Sequence, residues 1–171
     1  MNHRTKQKGF TTIEMLVIIG VLSLLSATLL VYSRAGERQI TLFREQAKIV
    51  SILTRAKSLS VAAFGKIGVP CGYGVHFETP RTYLIFKDLA DDCSLADKKY
   101  SGTSEIFESF QLDSSLTFDI LTLTDIIFIP PDPAVILDND FSKTEALIKI
   151  KTINGNDEKI IKINNGGQIT I

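Results

Sequence analysis

The sequence predicts an α+β protein in which one long N-terminal helix packs on a mostly antiparallel β-sheet head. Three observations carry this expectation. Met15 to Ser33 is a run of 19 residues without a charge. Residues 34–64 repeat apolar side chains at three- and four-residue steps. After Gly68 the pattern changes to short alternating segments separated by Gly, Pro, Asn and Asp.

The length of 171 residues suits one domain with an appendage, and 44% hydrophobic residues exclude a disordered chain. Two cysteines cannot build a cysteine-rich scaffold or a four-thiolate zinc site. The formal net charge is zero, but the charges are segregated. Residues 1–9 hold Arg4, Lys6 and Lys8 and no acid, a balance of +3. Residues 10–33 hold only Glu14. Residues 34–66 hold seven basic residues against Glu37 and Glu45, a balance of +5. Residues 67–171 hold 9 basic and 16 acidic residues, a balance of −7. Nucleic-acid binding needs a cationic surface, so an acidic head makes nucleic acid no expected partner.

Taken in chain order, the apolar run MLVIIGVLSLLSATLLVYS comes first. As a helix it spans about 28 Å, close to the hydrocarbon thickness of a bilayer. Helix is the single-segment structure that satisfies its own backbone in lipid. Nothing downstream is large enough to wrap a helix that is apolar all round. The short basic leader suits a cytoplasmic flank. A secretory signal would need a small-residue cleavage site after the run; Ser26-Ala27-Thr28 lies inside it and Arg34-Ala35-Gly36 is a poor substitute. Glu14 sits at the edge of the run, where an ionised carboxylate is costly without a partner.

The helix is expected to continue from Thr11 to Phe64, about 80 Å in all, and to stop at Gly65 and Gly68. In its second half Leu42, Ile49, Ile52, Ala56, Leu59 and Ala63 share one face, widened by Phe43, Ala47, Val50 and Leu53. Arg38, Arg44, Glu45, Lys48, Arg55 and Lys57 are expected largely elsewhere. The strands expected beyond it are Tyr73–Phe77, Thr82–Phe86, Ile106–Leu112, Leu116–Leu121, Ile126–Ile129, Ala146–Ile153, Glu158–Ile163 and Gln168–Ile171. Turns fall at Thr79-Pro80, at Asn154-Gly155-Asn156-Asp157 and at Asn164-Asn165-Gly166-Gly167. Pro130-Pro131-Asp132-Pro133 reads as a rigid turn.

The segment KGFTTIEMLVIIGVLSLL, Lys8 to Leu25, resembles the class III signal of type IV pilins and pseudopilins. The resemblance implies a leader ending at Gly9. A membrane-embedded prepilin peptidase would cut between Gly9 and Phe10, and Phe10 would then be N-methylated. Glu14 matches the fifth-position Glu of the mature family members. The partner this implies for it is the α-ammonium of a neighbouring subunit, inside an apolar filament core where either charge alone costs several kcal/mol. Val31 departs from the helix-kinking proline of many major pilins, and the first proline is Pro70. The wider pattern is similar to the H-type minor pseudopilins of type II secretion and to FimT-like minor pilins. It comprises Arg55-Ala56-Lys57-Ser58 near the stem's end, a β head soon after, and a short Gly-led final strand. The final segment Gly166-Gly167-Gln168-Ile169-Thr170-Ile171 lacks the arginines of the members linked to DNA uptake.

The fold implied is pilin-like: residues 1–9 a prepilin leader, 10–33 a transmembrane and filament-core helix, 34–66 an amphipathic stem and 67–171 a β-rich extracytoplasmic head. The resemblance implies a structural minor pseudopilin in a type II secretion pseudopilus or related filament, not an enzyme. It places the chain once through the bacterial cytoplasmic membrane, N-terminus inside and head outside, before filament entry. Its partners would be the prepilin peptidase and methyltransferase, other pilin or pseudopilin subunits, an assembly platform protein and the membrane itself. The alternatives are a type IV pilus minor pilin or competence pseudopilin and, from another class, a membrane-anchored protein whose head binds an extracytoplasmic ligand.

In an extracytoplasmic head the even pair Cys71 and Cys93 reads as a disulfide, worth about 3 kcal/mol of loop entropy. Asp88, Asp91, Asp92 and Asp97 surround Cys93. Oxygen-rich loops can hold calcium, but this spacing does not match an EF-hand, and a solvated acidic loop is expected. His76, opposite in direction to Val75 and Phe77, is expected to be a surface residue. No phosphate-binding Gly loop, paired-histidine motif or nucleophile elbow occurs, and no cofactor is expected. Asp119, Asp125 and Glu108 carry no assignable chemistry from sequence.

Overall fold

A computed structural model describes residues 9–64, 70–90, 92–119, 123–131, 134–154 and 157–171, without the side chains of residues 30–35. Arg4, Lys6 and Lys8 of the leader lie outside the described residues, as do Gly65, Lys66, Gly68, Asp91, Leu121, Asp132, Pro133, Gly155 and Asn156 and the side chain of Val31.

A single helix, α1, runs from Thr12 to Ala63. The contacts of the chain divide at Arg38 and Gln39. In the first unit, Thr12–Leu29 has a mean hydropathy of 2.1 and none of it is buried. This helix is long and apolar enough to cross a membrane. Its hydroxyls are compatible with lipid. Ser23, Ser26 and Thr28 donate to the carbonyls of Ile19, Leu22 and Leu25, each at 2.8 Å. None of the three then carries an unpaired donor.

The second unit begins at Gln39 and contains the rest of α1 and, among the described residues, nine strands. These are β1 (Gly72–Glu78), β2 (Thr82–Asp88), β3 (Ile106–Gln111), β4 (Leu116–Phe118), β5 (Asp125–Ile129), β6 (Ala134–Leu137), β7 (Glu145–Thr152), β8 (Glu158–Asn164) and β9 (Ile169–Thr170). They form a five-stranded sheet of order β3-β2-β1-β5-β6 and a four-stranded sheet of order β4-β7-β8-β9. Every pairing is antiparallel. A single 3₁₀ turn, Thr103–Glu105, leads into β3.

One core joins the helix to both sheets. Leu42, Ile49, Leu53 and Ala56 of α1 pack with Val75, Phe77, Tyr83, Ile85, Ile126 and Phe128 of the larger sheet and with Ile148, Ile150, Ile161 and Ile163 of the smaller. Alternation puts Leu84, Phe86, Ile127 and Ile136 on the opposite face of the larger sheet, in a second cluster with Tyr100 and Ile106. β2 and β5 therefore read as unbroken apolar runs, because both of their faces are buried. Two side-chain bonds fix the helix. Gln46 Nε2 donates to the Ile160 carbonyl at 3.0 Å, and Ser60 Oγ donates to the Phe128 carbonyl.

The helix face differs from the expected one at its margins. Leu53 is buried, but Phe43 and Ala47 are exposed, while Glu45, Gln46 and Ser60 turn inward. The buried stripe follows positions 42, 45, 46, 49, 52, 53, 56, 60 and 63, which is the set a 3.6-residue period places on one side. Phe43 is covered instead by Lys159, whose Nζ lies 3.8 Å from the ring centroid. Glu45 Oε2 sits 3.5 Å from Lys48 Nζ, and neither it nor the buried Tyr83 hydroxyl has a hydrogen-bond partner. Burial, reinforced by Glu45, holds the Tyr83 phenol well above its ordinary pKa. β4 ends at Phe118 rather than Leu121, and β6, which follows the proline cluster, was not expected.

β1 carries glycines at 72 and 74, where alternation puts both on the face that holds the second cluster. Phe86 lies across Gly74: a Cβ there would overlap the Phe86 ring and lie 2.6 Å from the Ile126 carbonyl oxygen. Gly74→Ala should therefore destabilise the fold by about 1–3 kcal/mol, the usual cost of overpacking. The urea midpoint of the full chain in detergent micelles measures this; a midpoint equal to wild type would contradict it.

Candidate functional site

Three regions bear on function. The first is the start of α1. Gly9, Phe10 and Thr11 precede the helix, and their residues are exposed. Thr11 caps it: the Met15 N–H donates to the Thr11 carbonyl at 3.2 Å, and the Glu14 N–H donates to Thr11 Oγ1 at 3.3 Å. Thr11-Thr12-Ile13-Glu14 has capping-box spacing, with Glu14 in the first turn. This signal was present in the sequence. The carboxylate also faces the positive end of the helix dipole. The expected cleavage point thus falls two residues ahead of the cap, in non-helical chain.

The second region is the strap between β2 and β3, described at residues 89–90 and 92–105, whose Tyr100 packs on the second apolar cluster. Cys71 and Cys93 are bridged, with Cα atoms 5.2 Å apart. The Cys71 N–H donates to the Asp88 carbonyl at 2.9 Å, so the bridge ties the strap to the ends of β1 and β2. Within the strap the expected acidic group separates. Asp92 is exposed and accepts from the Ser94 N–H at 2.8 Å, which holds its carboxyl below the usual range. Asp88 is 2% exposed and Asp97 is exposed. They are joined by Glu105, 6% exposed, which sequence reading did not single out. Carboxylate oxygens of Asp88, Asp97 and Glu105 lie within 4.8 Å of one another.

Asp92 and Asp97 are exposed as a solvated loop would have them, whereas Asp88 is buried. β2 carries Asp88 inward because its neighbours Leu84 and Phe86 share that face. The protein supplies donors to all three. The Lys98 N–H donates to Asp88, the Ser101 hydroxyl to Asp97, and the Ser101 N–H to Glu105 Oε2 at 2.7 Å. Burial first, then the charges of Asp97 and Glu105, push the Asp88 carboxyl up to about 6.

The third region is His76, expected at the surface. It is half-buried, with Nδ1 2.9 Å from Asp125 Oδ1 and its ring centroid 4.6 Å from that of Tyr100. β1 and β5 place His76 opposite Asp125, and the Tyr100 N–H reaches the same oxygen at 3.3 Å. Asp125 Oδ2 accepts from the Thr124 hydroxyl at 3.2 Å. The pairing depends on strand register, which a single sequence did not reveal. The arrangement fastens Tyr100 of the strap to β1 and β5.

The stem cations also find partners within the second unit. Arg55 Nη1 lies 2.6 Å from Glu108 Oε2, Lys48 Nζ donates to the Gln111 carbonyl at 3.0 Å, and Lys57 Nζ donates to the Gly167 carbonyl at 3.2 Å.

The raised Asp88 carboxyl fixes a direction for stability against pH. The folded chain holds its proton to about pH 6, whereas the unfolded chain releases it near 3.8. The folded state therefore binds more protons between these values, and stability falls as pH rises through that window. The loss is at most about 3 kcal/mol and levels off above the folded value. Asp88→Asn, which does not titrate, should gain stability over wild type near neutral pH and show no gain in acid. Urea midpoints at both ends of the window check this; a gain of equal size at both would exclude the charge as its cause.

No family model, no curated protein and no solved structure matches the chain.

Proposed function

We propose that the protein is a non-enzymatic subunit of a type II secretion pseudopilus or a related pilus-like filament, most like an H-type minor pseudopilin. The observation that carries this reading is the wholly unburied apolar helix Thr12–Leu29, entered directly from the exposed segment Gly9-Phe10-Thr11. An apolar surface of this extent needs lipid or other helices around it. Transfer from one to the other is nearly neutral in hydrophobic terms, so one helix can serve as membrane anchor and then as filament core.

In this reading prepilin peptidase cuts between Gly9 and Phe10 on the cytoplasmic side, and Phe10 is N-methylated. Glu14 sets axial register by pairing with the terminal ammonium of a neighbour. The head stays outside the cytoplasmic membrane, where the Cys71–Cys93 bridge is at home. The partners are the peptidase and methyltransferase, other pilin-like subunits and an assembly platform.

Gly9→Val should block maturation, leaving the leader attached when the chain is co-expressed with a prepilin peptidase; a Phe10 N-terminus in that variant would refute the cleavage. Assembly has its own test. Both native cysteines are bridged, so single cysteines placed along residues 15–29 report contacts cleanly. Co-expressed with pilin-like subunits carrying matching cysteines, they should give a ladder of crosslinked species. Monomer alone would favour the anchored, ligand-binding alternative.

A further inference from the structure

The strap of residues 89–105 is fastened to the larger sheet at three places. The disulfide holds Cys93 to Cys71 at one end. At the other, Tyr100 joins the Leu84, Phe86, Ile127 and Ile136 cluster, with ring centroids 5.9 Å from Phe86 and 4.6 Å from His76. Between them lie the three carboxylates, Asp88 from the sheet and Asp97 and Glu105 from the segment that crosses it. The carboxylate fastener responds to pH through the buried Asp88, and the disulfide does not.

The charges that act on Asp88 are those of Asp97, Glu105 and Lys98. One cation thus stands against three acids when all are ionised. The neighbouring strand brings no relief, because β1 places Gly72 opposite Asp88. His76 is faced by Asp125 of β5 and by the Tyr100 ring of the strap. Its Nδ1 lies 2.9 Å from the same Asp125 oxygen that accepts the Tyr100 N–H at 3.3 Å.

We propose that residues 92–105 form a proton-operated lid, docked on the sheet while the buried Asp88 carboxyl beside Asp97 and Glu105 holds a proton and released as Asp88 ionises. Release uncovers Leu84, Phe86, Ile127 and Ile136, and the Cys71–Cys93 bridge keeps the freed segment tethered, so acid can close it again. The elevated Asp88 carboxyl supports the sense of the switch. A group that ionises more easily in the open form drives opening as pH rises. This inference is independent of filament assembly and concerns the head alone.

Hydrogen exchange of the full chain in detergent micelles, at about pH 5 and about pH 8 and corrected for intrinsic rates, tests the lid. The Tyr100 and Ser101 amides, bonded to Asp125 and Glu105, should lose at least about tenfold protection at the higher pH, while β7 and β8 amides keep theirs. In Asp88→Asn the strap should keep its protection at the higher pH to within about threefold. Equal protection of the wild-type strap at both pH values would overturn the proposal. So would an unchanged loss in Asp88→Asn. Should that variant lose the β7 and β8 protection that reports a folded head, Glu105→Gln carries the same expectation and the same power to refute it.

Discussion

The second half of α1 is the piece of the head on which both sheets rest. Ile49, Leu53 and Ala56 are wholly buried in one core with strands of both sheets. At about 25 cal/mol per Å² of apolar surface removed from water, a seam of this kind outweighs any polar contact in the head. The remaining polar contacts serve to fix register. Gln46 takes the Ile160 carbonyl and Ser60 the Phe128 carbonyl, one from each sheet, so the helix cannot slide along its groove without leaving an acceptor unpaired.

That seam also explains the charge pattern. Three stem cations in the second unit reach the head, one of them through an acidic side chain. Arg55 pairs with Glu108, Lys48 reaches the Gln111 carbonyl, and Lys57 reaches Gly167. Glu108 and Gln111 belong to β3, an edge strand, so two helix cations line an edge that would otherwise invite another strand. Arg55 and Glu108 are each partly exposed, so their pair contributes little to stability, about 1 kcal/mol or less. The cations matter more for keeping that edge to itself than for holding the fold together.

The larger sheet needs cover on its other face too, and the chain provides it with the strap rather than with a second helix. Apart from its 3₁₀ turn the strap is held by what it touches: a disulfide, a tyrosine ring against His76 and a group of carboxylates. The sequence hid this in two ways. Asp88 alternates with apolar residues in β2, so its burial follows from the strand's second buried face, which a run such as Tyr83-Leu84-Ile85-Phe86 signals only once the neighbours are known. Glu105 lies 17 positions later and joins Asp88 only because the 3₁₀ turn folds back. β6 escaped for a related reason: four apolar residues after a proline cluster fit a strand, a turn or a buried helix end equally well.

By itself the sequence determined what depends on neighbours along the chain. The uncharged run marks a helix fit for a membrane, three- and four-residue spacing marks the stem, and alternation with Gly, Asn and Pro punctuation marks most of the strands. Each is a local periodicity imposed by one face meeting an apolar phase. The cysteine pair was legible as well, since two cysteines in one compartment leave one pairing. Tertiary structure alone decided which polar residues turn inward, which strands are neighbours and what the cations face. Glu45, Asp88, His76 and Asp125 owe their surroundings to strand order and register, and those are set by contacts between residues far apart in the chain, about which a short-range pattern carries no information.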